Sequence, residues 1–274
     1  MTLQEAADDL GVHYMTAYRY VRLGQLDAHK VGGGWRVTRH AVDEFRHARD
    51  DRDGAGGGRG QSAPWSARLE SRLMAGDAAG AWGVVEAAMS AGTDVADVYT
   101  TVLTPAMQSI GDRWASGEID VAVEHRASGI ATRLVGRLGS RCVRRGRARG
   151  TVVLGAPEGE RHSLVVAILA DLLRLEGWDV SDLGADTPAT SFAHAASEID
   201  DLAAVGLSVT HADNLERCAA TCALLHEADL GVPILVGGQA IRDRDHARSL
   251  GADEYAPDAD SMVAVLDRLN GSAA

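Results

Sequence analysis

The stretch PEGERHSLVVA, residues 157–167, sets Glu160, Arg161 and His162 between an apolar run, TVVLGA, and a helix-forming run, LVVAILADLLRL. An imidazole at such a junction can serve as a metal ligand or as a general base, and a solvated loop histidine is the plainer alternative. Two other groups recur downstream: the polar run SVTH, Ser208 to His211, and the pair Gly237-Gly238. Near the N-terminus, HYMTAYRYVRLG carries His13, Tyr14, Thr16, Arg19 and Arg22, side chains able to reach base edges and phosphates from one helix. Cys218 and Cys222 sit one helical turn apart, which permits redox chemistry but suits small buried apolar residues better.

The elements that must position these residues follow from periodicity. From Thr151 onward, TVVLGA, WDVSDLG, AVGLSVT, PILVGG and DEYAPD read as short strands separated by helical runs of roughly ten to fifteen residues. Five βα units in succession predict a flavodoxin-like, five-stranded parallel sheet wrapped by helices, with ligands at the carboxyl ends of the strands. His162, Ser208 to His211 and Gly237-Gly238 all fall at such ends. Ahead of this, residues 64–149 are helical throughout, with turn signals at Ala75-Gly76-Asp77, Gly92-Thr93-Asp94 and Ser116-Gly117, which predicts a four-helix bundle. Residues 50–63, within DDRDGAGGGRGQSAP, read as a flexible linker. Residues 1–49 give a helix (LQEAADDL), a turn at Gly11, the HYMTAYRYVRLG helix, and then a two-stranded wing carrying Lys30 and Arg36. The predicted architecture is therefore multidomain: a winged helix-turn-helix at 1–49, a linker at 50–63, a bundle at 64–149 and an α/β domain at 150–274.

Charge is distributed unevenly. The chain of 274 residues has a net charge of −12, yet residues 1–60 hold nine Lys/Arg against nine Asp/Glu, so the acidic excess lies in the remainder. That excludes a protein whose whole surface binds nucleic acid and leaves the head as the part that meets phosphate. Three cysteines without metal-type spacing fit a reducing compartment, and no run of about eighteen apolar residues offers a membrane span. The N-terminus has no signal-peptide pattern, so the expected location is the cytoplasm.

The head resembles the winged helix-turn-helix of excisionase- and MerR-type DNA-binding domains over about residues 1–47, with Lys30 and Arg36 set to meet the DNA backbone. A small helical protein-interaction module is the alternative. In the α/β segment, ERHSLV, then SVT, then GG resembles the cobalamin-binding signature of an acid-x-His-x-x-Gly loop, Ser-x-Thr/Leu and Gly-Gly. The spacing agrees, with 42 residues between Val165 and Ser208 and 26 between Thr210 and Gly237. LGADTP, residues 183–188, is similar to the loop after that family's second strand. The resemblance implies that His162 is the lower axial ligand of cobalt, replacing the cofactor's own dimethylbenzimidazole. It also implies that Glu160 accepts the other ring N–H, that Ser208 and Thr210 bond the buried cofactor tail, and that Gly237 and Gly238 let the tail lie against backbone. Two residues depart from the pattern: Glu160 stands for the usual aspartate and Val165 for the usual glycine.

WASGEIDVAVEHRAS, residues 114–128, narrows the resemblance to cobalamin-dependent light-sensing repressors of the CarH/LitR type, whose domain order is the same. The resemblance implies that Trp114 packs on a 5′-deoxyadenosyl group and that Val121, Glu124 and His125 line its pocket. The family's histidine after the tryptophan is Ala115 here, so a second axial histidine from that position is ruled out. The expected protein is thus a non-enzymatic, cobalamin-binding, light-responsive regulator. Its cofactor would be adenosylcobalamin, its partners DNA and further copies of itself in a dimer or tetramer, and it would not bind a membrane. Two alternatives stay open: a photoreceptor that pairs cobalamin with a bilin such as biliverdin, and a corrinoid carrier for a methyltransferase.

Overall fold

The computed structural model describes residues 1–10, 21, 26–31, 34–42, 45, 64–143 and 146–271. Two compact units make up the chain, Met1–Leu134 and Val135–Ala274.

The first unit opens with α1 (Leu3–Asp9). Thr2 and Glu5 close a reciprocal cap: the Glu5 N–H donates to Thr2 Oγ1 at 3.2 Å and the Thr2 N–H to Glu5 Oε2 at 2.6 Å. Strands β1 (His29–Val31) and β2 (Gly34–Arg36) pair antiparallel, His29 opposite Arg36, and form the wing predicted from sequence. Leu3, Ala6, Leu26, Ala28, Val37, Ala41, Val42 and Phe45 form the core beneath them. Helices α2 (Trp65–Met74) and α3 (Ala78–Ser90) follow, turning where the glycine-aspartate signal stands. Asp77 caps α3 by accepting from the Gly80 N–H at 2.8 Å. Trp65, Leu69 and Leu73, four residues apart, give α2 one buried stripe.

The next helix changes its winding along its length. A short α turn, Val95–Asp97, leads into a π-helical stretch, Val98–Leu103, and then into α4 (Thr104–Ala115). The return to α geometry coincides with Pro105, which has no N–H to give the ladder. The stretch buries Val98, Tyr99, Val102 and Leu103, so its extra residue per turn serves core packing. Helix α5 (Val121–Gly139) completes the four predicted helices.

In the second unit, five strands form a parallel sheet in the order β4-β3-β5-β6-β7. They are β3 (Thr151–Gly155), β4 (Asp179–Asp182), β5 (Leu202–Ser208), β6 (Ile234–Gly237) and β7 (Glu254–Tyr255). Side chains alternate between two cores. Val153, Val205 and Leu207 join Phe192 and Leu225 of α7 (Ala189–Ser197) and α8 (Leu215–Glu227) on one face. Val152, Leu154 and Ala204 join Leu173 and Leu266 of α6 (Ser163–Leu175) and α10 (Ala259–Gly271) on the other. A short helix, α9 (Arg244–Ser249), links β6 to β7. The strand order reverses between β3 and β5, and such a switch point opens a crevice at the carboxyl ends. The three cysteines are buried. A hydrogen bond with Cys222, together with burial, pushes the Cys218 thiol up, so the pair acts as apolar packing rather than as a reactive dithiol.

Candidate functional site

Everything that singles out His162 converges on the loops at the carboxyl ends of β3, β4 and β5. Its imidazole, 52% exposed, belongs to the N-cap residue immediately before α6, and Nδ1 bonds Glu160 Oε1, the pairing that the resemblance implies. Glu160 itself is 1% exposed. Its other oxygen accepts from the backbone N–H groups of Thr210 at 2.8 Å and His211 at 2.9 Å and from Asn214 Nδ2 at 3.1 Å. Burial alone would raise the pKa of this carboxyl, but the hydrogen bonds from His162, His211, Thr210 and Asn214 outweigh it and lower the value to about 2. Glu160 is therefore charged at any physiological pH. A charged carboxylate on Nδ1 favours the tautomer with its proton there, which puts the lone pair on Nε2.

The loop is also braced from the β4 side. The Gly159 N–H donates to Asp186 Oδ1 at 2.7 Å, and the Asp186 N–H donates to the Glu160 carbonyl at 2.7 Å. Asp186 adopts φ +56, a conformation that aspartate tolerates better than most residues. This gives the LGADTP segment a concrete role, since it holds the histidine loop from below. Asn214 and Asp186 were not legible as site residues. An asparagine before a helix reads as a cap, and an aspartate between glycine and proline as a turn.

Ser208 is 5% exposed at the end of β5, and Thr210 contributes its backbone N–H to Glu160. Gly237 ends β6 and Gly238 follows it, but the chain's own packing requires both of them. A Cβ on Gly237 would lie 1.9 Å from the Ala256 carbonyl oxygen, and one on Gly238, where φ is +101, would lie 2.4 Å from the Val209 carbonyl oxygen. Sheet closure therefore demands the open backbone at both positions, whether or not a ligand lies there. Val165, 42% exposed, points out of α6.

The second cluster lies on the helices of the first unit. Trp114 closes α4 at 49% exposure, and Val121 opens α5 at 43%. Glu124 accepts from Ser128 Oγ at 2.5 Å and bonds His125 Nδ1 at 2.7 Å, while His125 itself is 74% exposed. Val121 and His125 are four residues apart and share a helix face. Of the head residues expected to meet DNA, Arg36 is exposed on β2. Lys30 lies on β1, and its side chain falls outside the described residues, as do His13, Tyr14, Thr16, Arg19 and Arg22. A cleft at the opposite, amino-terminal end of β6 is lined by His226, Asp229 and Asp253. There His226 Nε2 bonds the Gly251 carbonyl at 2.9 Å and Asp253 accepts from the Ile234 N–H at 2.8 Å, so its polar groups serve the fold.

Comparison with known proteins agrees with this layout. Residues 65–138 and residues 150–266 each match a family described as a B12 binding domain, and residues 1–50 match a helix-turn-helix domain. Trimethylamine corrinoid protein 1 of Methanosarcina acetivorans is 29% identical over 187 residues, 66% of this chain and 85% of that protein. The HTH-type transcriptional repressor CarA of Myxococcus xanthus is 30% identical over 172 residues, 62% of this chain and 57% of that protein. The structure of the Methanosarcina barkeri monomethylamine corrinoid protein superposes with a TM-score of 0.65 at 20% identity, covering 73% of this chain and 96% of that one. The fold is thus a Rossmann-like cobalamin-binding sheet with a helical segment, preceded by a helix-turn-helix domain.

Proposed function

We propose that the chain is a cobalamin-binding transcriptional regulator whose cofactor state governs its assembly and DNA binding, with light as the signal. One observation carries this reading: a buried carboxylate, Glu160, holds Nδ1 of the half-exposed His162 at a sheet switch point, in a chain whose residues 1–50 match a helix-turn-helix domain.

The donor set fits cobalt. A neutral imidazole nitrogen is a good ligand for a first-row transition metal, and a carboxylate on the opposite nitrogen fixes its orientation and raises its basicity. His162 would hold the cobalt through its imidazole, and Ser208 and Thr210 would bond the cofactor tail beside Gly237 and Gly238. Trp114, Val121, Glu124 and His125 would contact the group above the metal. When bound, adenosylcobalamin supplies a cobalt–carbon bond that light breaks. Trp114 and Val121 are well exposed, so burying them against a bound adenosyl group would favour the assembly that holds it, and losing that contact would disfavour it. Ala115 offers no side-chain ligand to replace it. His13, Tyr14, Thr16, Arg19, Arg22, Lys30 and Arg36 would meet DNA, paired across a homodimer or tetramer. The role is sensing in the cytoplasm rather than catalysis.

A second reading, a corrinoid carrier, is favoured by the alignment with a corrinoid protein over 85% of its length. The test is to load the protein with adenosylcobalamin in darkness, then record absorbance, size and DNA binding before and after illumination. The proposal expects a dark oligomer that binds DNA, and a joint change of all three on illumination. An unchanged spectrum would remove the light response. A band in the red would indicate a bilin such as biliverdin. A loaded protein with no affinity for DNA would leave the carrier reading.

A further inference from the structure

We propose that the exposed arginine face of α5, with the turn that follows it, is a second surface for duplex DNA, contacting phosphates in addition to those met by the head. The inference rests on the reading of the chain as a DNA-binding regulator. It starts from charge. The chain carries 39 Asp/Glu against 27 Lys/Arg, yet residues 125–149 hold eight arginines and no aspartate or glutamate. Arg144 and Arg145 of this run lie outside the described residues. The head by contrast is balanced, nine against nine over residues 1–60, so it brings base-reading side chains without net attraction for a polyanion.

Three observations separate this face from an ordinary solvated helix. Arg126, Arg133 and Arg137 are spaced seven and four residues apart on α5, so they share one side of it, and all three are exposed. Arg133 and Arg137 stand about 6 Å apart along the axis, far enough for each to meet its own phosphate with two parallel N–H donors. Arg141 and Arg147 continue the run beyond the helix and are exposed as well. Complementing the helix dipole does not account for Arg133 or Arg147, because that effect fades within the last turn. The face also lacks counter-charge. Arg174, Arg217, Arg244, Arg248 and Arg268 each meet a carboxylate. Among the described residues, Arg133, Arg141 and Arg147 meet none. Finally, Thr132, Arg133, Gly136, Arg137 and Ser140 make up the exposed side of the second half of α5, with no large apolar side chain among them. Thr132 Oγ1 and Ser140 Oγ donate back to the carbonyls of Ser128 and Arg137, at 2.9 and 3.2 Å, which leaves the outward contacts to the arginines. A stable protein partner would want an apolar centre to its footprint, and a phosphate backbone does not.

The experiment measures binding of the full chain, with and without adenosylcobalamin, to a mixed-sequence DNA duplex across a series of salt concentrations. Arg133→Gln/Arg137→Gln/Arg141→Gln is compared with wild type and with Arg217→Gln/Arg248→Gln/Arg268→Gln, which changes the net charge equally at ion-paired sites. Each phosphate contact contributes about 0.9 to the slope of log affinity against log salt. The first variant should therefore flatten the slope by about 3 and weaken binding at least about tenfold at low salt. The control should keep the wild-type slope. Arg133→Lys/Arg137→Lys/Arg141→Lys should keep it too, because the slope counts charge rather than guanidinium geometry. If the triple glutamine variant fails to fold by circular dichroism, Arg133→Gln and Arg141→Gln are read singly, each flattening the slope by about 1. A folded variant with the wild-type slope would overturn the proposal and leave the regulator reading in place. So would an equal fall in the control, which would mean bulk charge, or a change of size without DNA at an unchanged slope, which would mean a contact between copies. A wild-type chain that binds no duplex would overturn both.

Discussion

Two clusters of candidate residues are built to different degrees. Around His162 the chain does the work itself: Glu160 is buried, charged and saturated with donors from a loop fifty residues away, and Asp186 closes the other side. Around Trp114 little is enclosed. Trp114, Val121 and His125 are exposed, and only the Glu124 carboxylate is held, by Ser128 and His125. On the proposed reading, the difference separates an anchor from a contact. A ligand position that must hold in every state is preorganised by its neighbours, whereas residues meant to register a group's departure must be able to lose it.

Variants can break or sharpen that contrast. The largest effect is expected from His162→Ala, which removes the proposed cobalt ligand. Its loss of cobalamin affinity in a titration should exceed the roughly 10–100-fold that loss of an outer-shell partner costs. Glu160→Gln should fall within that range. It should also change the acid behaviour of the protein without cofactor. The folded pKa of Glu160, about 2, lies below the ordinary glutamate value of about 4.5, so its charged form stabilises the fold above about 4.5. That contribution is lost as the pH falls through the window towards about 2, and Glu160→Gln should flatten this part of a pH–stability curve. Next comes Gly238→Ala, where positive φ and the Val209 carbonyl leave no room for a Cβ. It should cost about 1–3 kcal/mol in a denaturant melt with or without cofactor. The smallest effect on the fold belongs to Trp114→Ala, within about 0.5 kcal/mol for the cofactor-free protein, because the ring is exposed. Its consequence should appear only in the loaded protein, as weaker adenosylcobalamin binding. A large destabilisation without cofactor would show that Trp114 belongs to the core, and the contrast would fail.

Much of this was legible before the structure. The strands from TVVLGA to DEYAPD were readable because most of these apolar runs of strand length end at glycine, proline or aspartate. The bundle turns were readable because each carries a residue suited to ending or starting a helix. The pairing of His162 with Glu160 was implied by the resemblance to the cobalamin-binding signature rather than by periodicity. What escaped was whatever depends on distant loops meeting. Asn214 looks like a cap and acts as a donor to Glu160. Gly237 and Gly238 look like room for a ligand and are required by the Ala256 and Val209 carbonyls. The π-helical turns at Val98–Leu103 carry the same apolar residues an α-helix would, so periodicity does not mark them.

The central claim, that His162 holds cobalt, is tested most directly by electron paramagnetic resonance of the cobalt(II) form of the bound cofactor. The unpaired electron couples to the nucleus of the lower axial atom, so the protein is prepared with ¹⁴N- and then with ¹⁵N-histidine. The account predicts that the triplet splitting of each cobalt line becomes a doublet on labelling, and that His162→Ala removes the change. A triplet unaffected by ¹⁵N-histidine would mean that the cofactor keeps its own base, and would contradict the account.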